Sequence, residues 1–253
     1  MPADGEHGVA TDELTRAVAW TASACVLVPA FDAGRSVGAV IDAVRAQLPE
    51  LGERLLVIDD GSRDDTAARA RESGCEVLAH GQNRGKGAAL KTGLATAHAR
   101  GWTVALTIDA DGQHPADEAR RVLYAASDPA ALVLGVRDLS RDGAPSKNQA
   151  SNAISNYFLS RFAGRPLRDT QCGLRRYPVA ATLALDARGD RYDFEAEALL
   201  LASRAGVPIV EIDVRVFYPP EHERQTHFHV VRDPARIIRS VVRAATRGAR
   251  TRR

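Results

Sequence analysis

Two carboxylates one residue apart, Asp109-Ala110-Asp111, carry the types and spacing in this 253-residue sequence that most directly imply chemistry. In an extended segment residues i and i+2 point the same way, so both acids are expected to face one ion. Hard oxygen donors with few His or Cys beside them suit Mg²⁺ or Mn²⁺, which complete their shells with substrate phosphate oxygens. A second acidic pair, Asp59-Asp60, precedes Gly61-Ser62. The segment Asn83-Arg84-Gly85-Lys86-Gly87 brings the opposite charge. Its glycines permit close approach, N–H groups at a helix start favour an anion, and two cations reinforce them, Lys86 the better placed. It is neither the phosphate loop of nucleoside triphosphatases nor the dinucleotide G-x-G-x-x-G, since position 90 is Leu.

Such residues need a scaffold that gathers them. The runs CVLVPA (25–30) and RLLVIDD (54–60) are short and apolar and end in turn-forming residues, as buried parallel strands do. Between them SVGAVIDAVRAQL (36–48) has helical spacing and stops at Pro49. Helix 64–73, strand 75–80, helix 85–99, strand 103–111, helix 116–126 and strand 131–138 continue the alternation. It predicts an α/β domain, a mainly parallel sheet with helices on both faces. After residue 140 the rhythm changes to helix 147–163, a short strand and turn over 170–178, helix 194–205, strand 208–218 and helix 233–250. In an open α/β sheet, ligands bind beyond the carboxyl ends of the strands. Pro29 to Asp32, Asp59 to Ser62, Asp109 to Gln113 and Arg137-Asp138 all fall at such ends. Simple helix capping does not account for paired carboxylates at two of them.

Composition bounds the class. The chain is 45% hydrophobic, too apolar for disorder, and no run approaches the ~18 apolar residues of a spanning helix. Three separated cysteines argue against a disulfide framework or a zinc knuckle. The first residues lack the basic and apolar regions of a signal peptide, and 1–22 reads as a flexible leader. A reducing, cytoplasmic compartment is expected. The net charge of +2 hides an asymmetry: residues 232–253 hold 8 Arg and one Asp, a net of +7, and the rest of the chain is at −5. An acidic body with a basic end is not a nucleic-acid-binding surface.

VLVPAFDAGRSV, VIDDGSRDDT, NRGKGAALKTGLATA and TIDADGQHPAD together resemble a family 2 glycosyltransferase of GT-A fold. More narrowly they are similar to the dolichol- or polyprenyl-phosphate mannosyl/glucosyltransferase branch, over about residues 24–218. The resemblance implies a GT-A domain over 23–230 and a GDP- or UDP-linked sugar donor. It implies inversion and transfer to a lipid or lipid-phosphate acceptor. The implied nucleotide-sugar site comprises Pro29, Phe31, Asp32, Asp59, Asp60, Lys86, Asp109, Ala110, Asp111, Arg137 and Arg175. Asp60 would contact the base, and Asp109, Asp111 and Gln113 would hold Mg²⁺ or Mn²⁺. A lipid phosphate acceptor is anionic and needs no strong base, whereas a hydroxyl acceptor does. Asp169, Asp193 and Glu195 are candidates for that base, and each is equally a candidate ion-pair partner for nearby arginines.

The chain departs from that branch where an R-x-x-G-x-S-K/R segment is usual. Residues 218–229 stand there, with Arg224 and His227 as candidate phosphate or acceptor contacts. Residues 231–253 follow as a basic amphipathic helix and tail, with Arg236, Arg239, Arg243, Arg247 and Arg250 on one face. Such a helix either lies on an anionic membrane at the cytoplasmic face or packs its Ile/Val stripe on the domain. Two rivals fit less well. A sugar-phosphate nucleotidylyltransferase needs a glycine-rich basic loop where PAFDAG stands. A receiver-like signalling module carries its acidic pair on the first strand and is half as long.

Overall fold

Helices cover both faces of β1 (Ala24–Ala30), which is why it is apolar and buried along its whole length. The computed structural model describes residues 20–218 and 232–250. After β1 come α1 (Val37–Gln47), a 3₁₀ turn (Pro49–Leu51), β2 (Leu55–Asp59), α2 (Thr66–Glu72), β3 (Glu76–Ala79) and α3 (Lys86–Ala99). Then follow β4 (Val104–Thr107), α4 (Ala116–Leu123), β5 (Leu132–Arg137) and α5 (Ser146–Ala163). The remaining elements are β6 (Arg175–Pro178), α6 (Val179–Ala184), α7 (Asp193–Ala205), β7 (Ile209–Val214) and α8 (Arg232–Arg250). The predicted alternation is therefore present. The extra short helix α6 follows directly on Pro178, whose N–H-less ring suits the entry to a helix.

One seven-stranded sheet runs β3-β2-β1-β4-β6-β5-β7. β6 is antiparallel to β4 and β5, and every other pairing is parallel. Alternate residues of β1 enter opposite cores. Val26 and Val28 pack with Ile41 and Val44 of α1 and Val122 of α4 on one face. Cys25 and Leu27 pack with Leu90 and Leu94 of α3 and Leu199 of α7 on the other. Two layers of helix around one mixed sheet make a single α/β domain.

α8 settles one of the open readings. Ile237, Val241 and Ala244 are buried against the second core, and α8 packs chiefly on α7 and α5. Its apolar stripe therefore faces the domain, and Arg236, Arg239 and Arg243 face outward. Among the described residues, no helix is long and apolar enough to cross a membrane.

The expected strand 103–111 is shorter than its apolar pattern. β4 stops at Thr107, and Asp109-Ala110-Asp111 lies on the turn beyond it, with Gly112 at φ +73°. The acidic pair thus owes its placement to a loop and not to strand pleat.

Candidate active site

The carboxyl ends of β1, β2, β4 and β5 open on one cavity of about 500 Å³. The start of α3, the first turns of α5 and α7, and Ile237 of α8 complete its wall. Pro29, Phe31, Asp32, Asp60, Lys86, Asp109, Ala110, Asp111, Gln113, Arg137 and Glu195 all line it. Asp32 holds a left-handed φ of 49°, uncommon for a side-chain-bearing residue. The neighbouring loop fixes it: its N–H donates to the Ser62 hydroxyl at 2.9 Å, and its Oδ1 accepts the Arg63 N–H at 2.8 Å.

Asp59 corrects an expectation. Its carboxylate turns into its own loop, accepting the Ser62 N–H at 3.0 Å and the Ser62 hydroxyl, and it does not line the cavity. Asp60 does line it, with both oxygens engaged. Oδ1 accepts from His80 Nδ1 at 2.7 Å and the Arg84 N–H at 2.9 Å, and Oδ2 accepts the Gly85 N–H at 2.6 Å. The Ala88 N–H donates to the Asp190 carbonyl at 2.9 Å. Several N–H groups that the glycine-rich segment was expected to offer an anion are thus taken by the protein. A Cβ on Gly85 would stand 2.4 Å from the Asp190 carbonyl oxygen, so this glycine admits the chain's own backbone.

Lys86 is the centre of charge. Its Nζ lies 2.6 Å from Asp109 Oδ1 and 3.3 Å from Glu195 Oε1, the latter an ion pair off hydrogen-bond alignment. Burial opposes the ammonium, but Asp109 and Glu195 outweigh it and hold Lys86 above its usual range. Burial likewise works against the Asp109 carboxylate, and the Lys86 charge overrides it and holds the acid low. Asp111 has no such cation. Its crowded position and the Asp109 charge push it up to about 6. Gly173, in the loop before β6, makes this packing possible, because a Cβ there would stand 2.3 Å from Asp109 Oδ2 and 2.6 Å from Lys86 Nζ.

Of the three candidate bases, only Glu195 lines the cavity. Asp169 is buried in a two-point ion pair with Arg137, at 2.7 Å to Nε and 3.0 Å to Nη2, and accepts the Gln171 and Cys172 N–H groups at 3.1 Å. Burial would raise its pKa, but Arg137 keeps it below the usual range. An acid held in that state positions Arg137 and is unsuited to removing a proton. Asp193 accepts the Arg191 N–H at 3.0 Å, which fixes the entry to α7. Arg175 is also corrected. It is fully buried, and its guanidinium donates to the carbonyls of Cys172, Glu195 and Thr170 at 2.7, 2.9 and 2.8 Å. It braces the loop beneath Gly173 and does not reach the cavity. Arg224 and His227 lie outside the described residues.

Sequence reasoning overlooked His80 and His114. His80 directly follows β3 and lies beside Asp60, and its only signal is a polar residue following an apolar strand. His114 is 7% exposed, and burial, reinforced by the Arg137 charge, lowers it to about 4.

Among the described residues, no three His, Cys, Asp or Glu side chains gather as a metal cluster. Mg²⁺ and Mn²⁺ do not need one, since one or two carboxylates and substrate phosphates suffice. Asp109 and Asp111 fit that donor set, because a divalent cation between them relieves the repulsion that raises Asp111.

Residues 25–181 match the sequence profile described as Glycosyl transferase family 2. The chain is 26% identical over 216 residues to the UDP-N-acetylglucosamine–dolichyl-phosphate N-acetylglucosaminyltransferase of Methanococcus voltae, covering 76% of this chain and 85% of that protein. It is 27% identical over 228 residues to the polyprenol monophosphomannose synthase of Mycolicibacterium smegmatis, covering 85% and 84%. Its fold matches glucosyl-3-phosphoglycerate synthase from Mycobacterium tuberculosis, solved with Mn²⁺, UDP and phosphoglyceric acid, at TM-score 0.68 and 22% identity over 90% of this chain and 81% of that one. The strand order, the acidic turn after β4 and the match over residues 25–181 agree: this chain belongs to glycosyl transferase family 2.

Proposed function

We propose that this enzyme transfers a hexose, with inversion, from a GDP- or UDP-linked sugar to a lipid-linked acceptor, polyprenyl phosphate before any hydroxyl. The observation that carries the reading is the gathering of both charges on one cavity: Asp109 and Asp111 on the turn after β4, with Lys86 paired to Asp109 and Arg137 lining the same space. Carboxylates for a metal ion and cations for phosphate oxygens, gathered on one cavity, complement a metal-bound diphosphate leaving group. The relatives named for dolichyl-phosphate and polyprenol acceptors support the lipid-phosphate choice.

Asp109 and Asp111, with Gln113 beside them, would hold Mg²⁺ or Mn²⁺. When bound, the ion neutralises charge that grows on the leaving diphosphate. Pro29, Phe31, Asp32 and Asp60 form the nucleoside side of the cavity. Arg137, oriented by Asp169, and Lys86, held by Asp109 and Glu195, stabilise the departing phosphates. A lipid phosphate attacks as an anion, so no side chain has to take its proton. Glu195 is the one candidate base at hand should the acceptor be a hydroxyl. A lipid acceptor is met at a bilayer surface, and we assign the outward arginines of α8 to anionic headgroups at the cytoplasmic face, at ~1 kcal/mol for each charge near the surface.

The test is a product assay with GDP-mannose, UDP-glucose and UDP-N-acetylglucosamine against polyprenyl phosphate, polyprenol and 3-phosphoglycerate. A sugar–phosphate–lipid product is expected, reduced about 100-fold or more in Asp111→Ala. Transfer to 3-phosphoglycerate or polyprenol alone would overturn the lipid-phosphate acceptor.

A further inference from the structure

His80 is a buried imidazole that the proposed chemistry does not use, yet both its nitrogens are engaged. Nδ1 lies 2.7 Å from Asp60 Oδ1 and Nε2 lies 3.0 Å from Thr92 Oγ1, and the side chain is only 6% exposed. A carboxylate only accepts, so Nδ1 carries the proton toward Asp60, and in the neutral imidazole the Thr92 hydroxyl donates to Nε2. The pair of contacts orients the ring and joins α3 to the end of β2.

An ionised carboxylate such as that of Asp60 offers about four acceptor positions. His80 and the Arg84 N–H occupy Oδ1, and the Gly85 N–H occupies one position on Oδ2. One position on Oδ2 is left, in a residue that lines the cavity. The group that satisfies it has to be a donor. Uracil and guanine present a ring N–H to a carboxylate aimed at the ring edge, whereas neutral cytosine and adenine place a ring lone pair there, beside an exocyclic amino group, and repel it.

We infer that His80, held between Thr92 and Asp60, is the positioning residue of nucleobase recognition, turning the last acceptor position of Asp60 toward a base that offers a ring N–H. The inference rests on reading Asp60 as the base contact. Without His80, Oδ1 would offer an open acceptor position of its own beside the Arg84 N–H, and a donor on the base would no longer be directed to Oδ2 alone.

Calorimetric binding with Mn²⁺ present separates the two claims. The wild type is expected to bind UDP or GDP at least tenfold more tightly than CDP and ADP. In His80→Leu that preference should fall about tenfold or more, while affinity for inorganic pyrophosphate stays unchanged. His80→Asn, whose amide can donate from the Nδ1 position, should restore most of the loss. Unchanged pyrophosphate binding also shows that the variant is folded. Should the wild type bind CDP or ADP as tightly as UDP and GDP, the reading of Asp60 fails and the inference falls with it. Should the wild type discriminate and His80→Leu discriminate equally well, Asp60 stands and the role of His80 is refuted. An equal loss of pyrophosphate and nucleotide by His80→Leu refutes it too, unless Thr92→Val, a gentler break in the same chain, weakens the nucleotide alone.

Discussion

Asp111 and His114 stand three residues apart, and their pKa values move in opposite directions. His114 is lowered to about 4, so the unfolded chain takes up its proton first as pH falls from 6.5, and acid weakens the fold. Asp111 is raised to about 6, so the folded chain protonates first as pH falls from 6 toward 4, and acid strengthens the fold. The second effect offsets the first only in part, because Asp111 is solvent-exposed and its charge is screened. In metal-free protein, Asp111→Asn is therefore expected to lose stability between pH 6.5 and 4.5 more steeply than the wild type, by up to about 1 kcal/mol per pH unit. Urea unfolding in EDTA at several pH values measures it, and parallel slopes would refute the assignment. At this scale the sequence displays which groups are acidic but not their burial. The cation that tames Asp109 sits at the start of α3, far in sequence from the turn that holds the acid.

α8 shows what an amphipathic pattern leaves undecided. The same Arg and Ile/Val periodicity fits a membrane-lying helix or a docked one, because the pattern records two faces and not what each face meets. Docking is visible in Ile237 and Val241, which are buried in the second core, and in Ser240. The Ser240 hydroxyl donates to Glu197 Oε2 at 3.0 Å, and the same oxygen accepts the Arg188 and Gly189 N–H groups. Through this carboxylate α8 steadies the loop whose Asp190 carbonyl caps the start of α3. Ile237→Ala should cost about 2–4 kcal/mol, whereas Arg243→Ala on the outer face should stay within about 0.5 kcal/mol. Chemical denaturation of the two variants compares them, and similar small losses would mean that the stripe is not packed. Strand β4 teaches a related lesson. Its apolar run continues through Ile108, but the strand ends at Thr107, and Asp109 and Asp111 stand on the turn that follows.

At the scale of the molecule, a cavity shared by four strand ends and four helices couples ligand binding to the whole fold. Mn²⁺ with the preferred nucleoside diphosphate, at about 100 times its dissociation constant, should add about 2.7 kcal/mol of stability, or about 5–10 °C in Tm for a domain of this size. Asp111→Ala should lose that shift, and a full shift in the variant would remove the metal assignment. The sequence by itself determined the strand–helix alternation, the mixed α/β class and the polar residues at the carboxyl ends of the strands. These follow from local periodicity, and an open sheet gathers its strand ends on one edge whatever the loops do. Only the tertiary structure decided the partners. Asp169 holds Arg137 across 32 positions, His80 holds Asp60 across 20, and antiparallel β6, inserted between β4 and β5, brings Gly173 against Asp109 and Lys86. Those pairings depend on where loops return and how closely backbones approach, and long-range contacts of that kind leave no periodic trace in the chain.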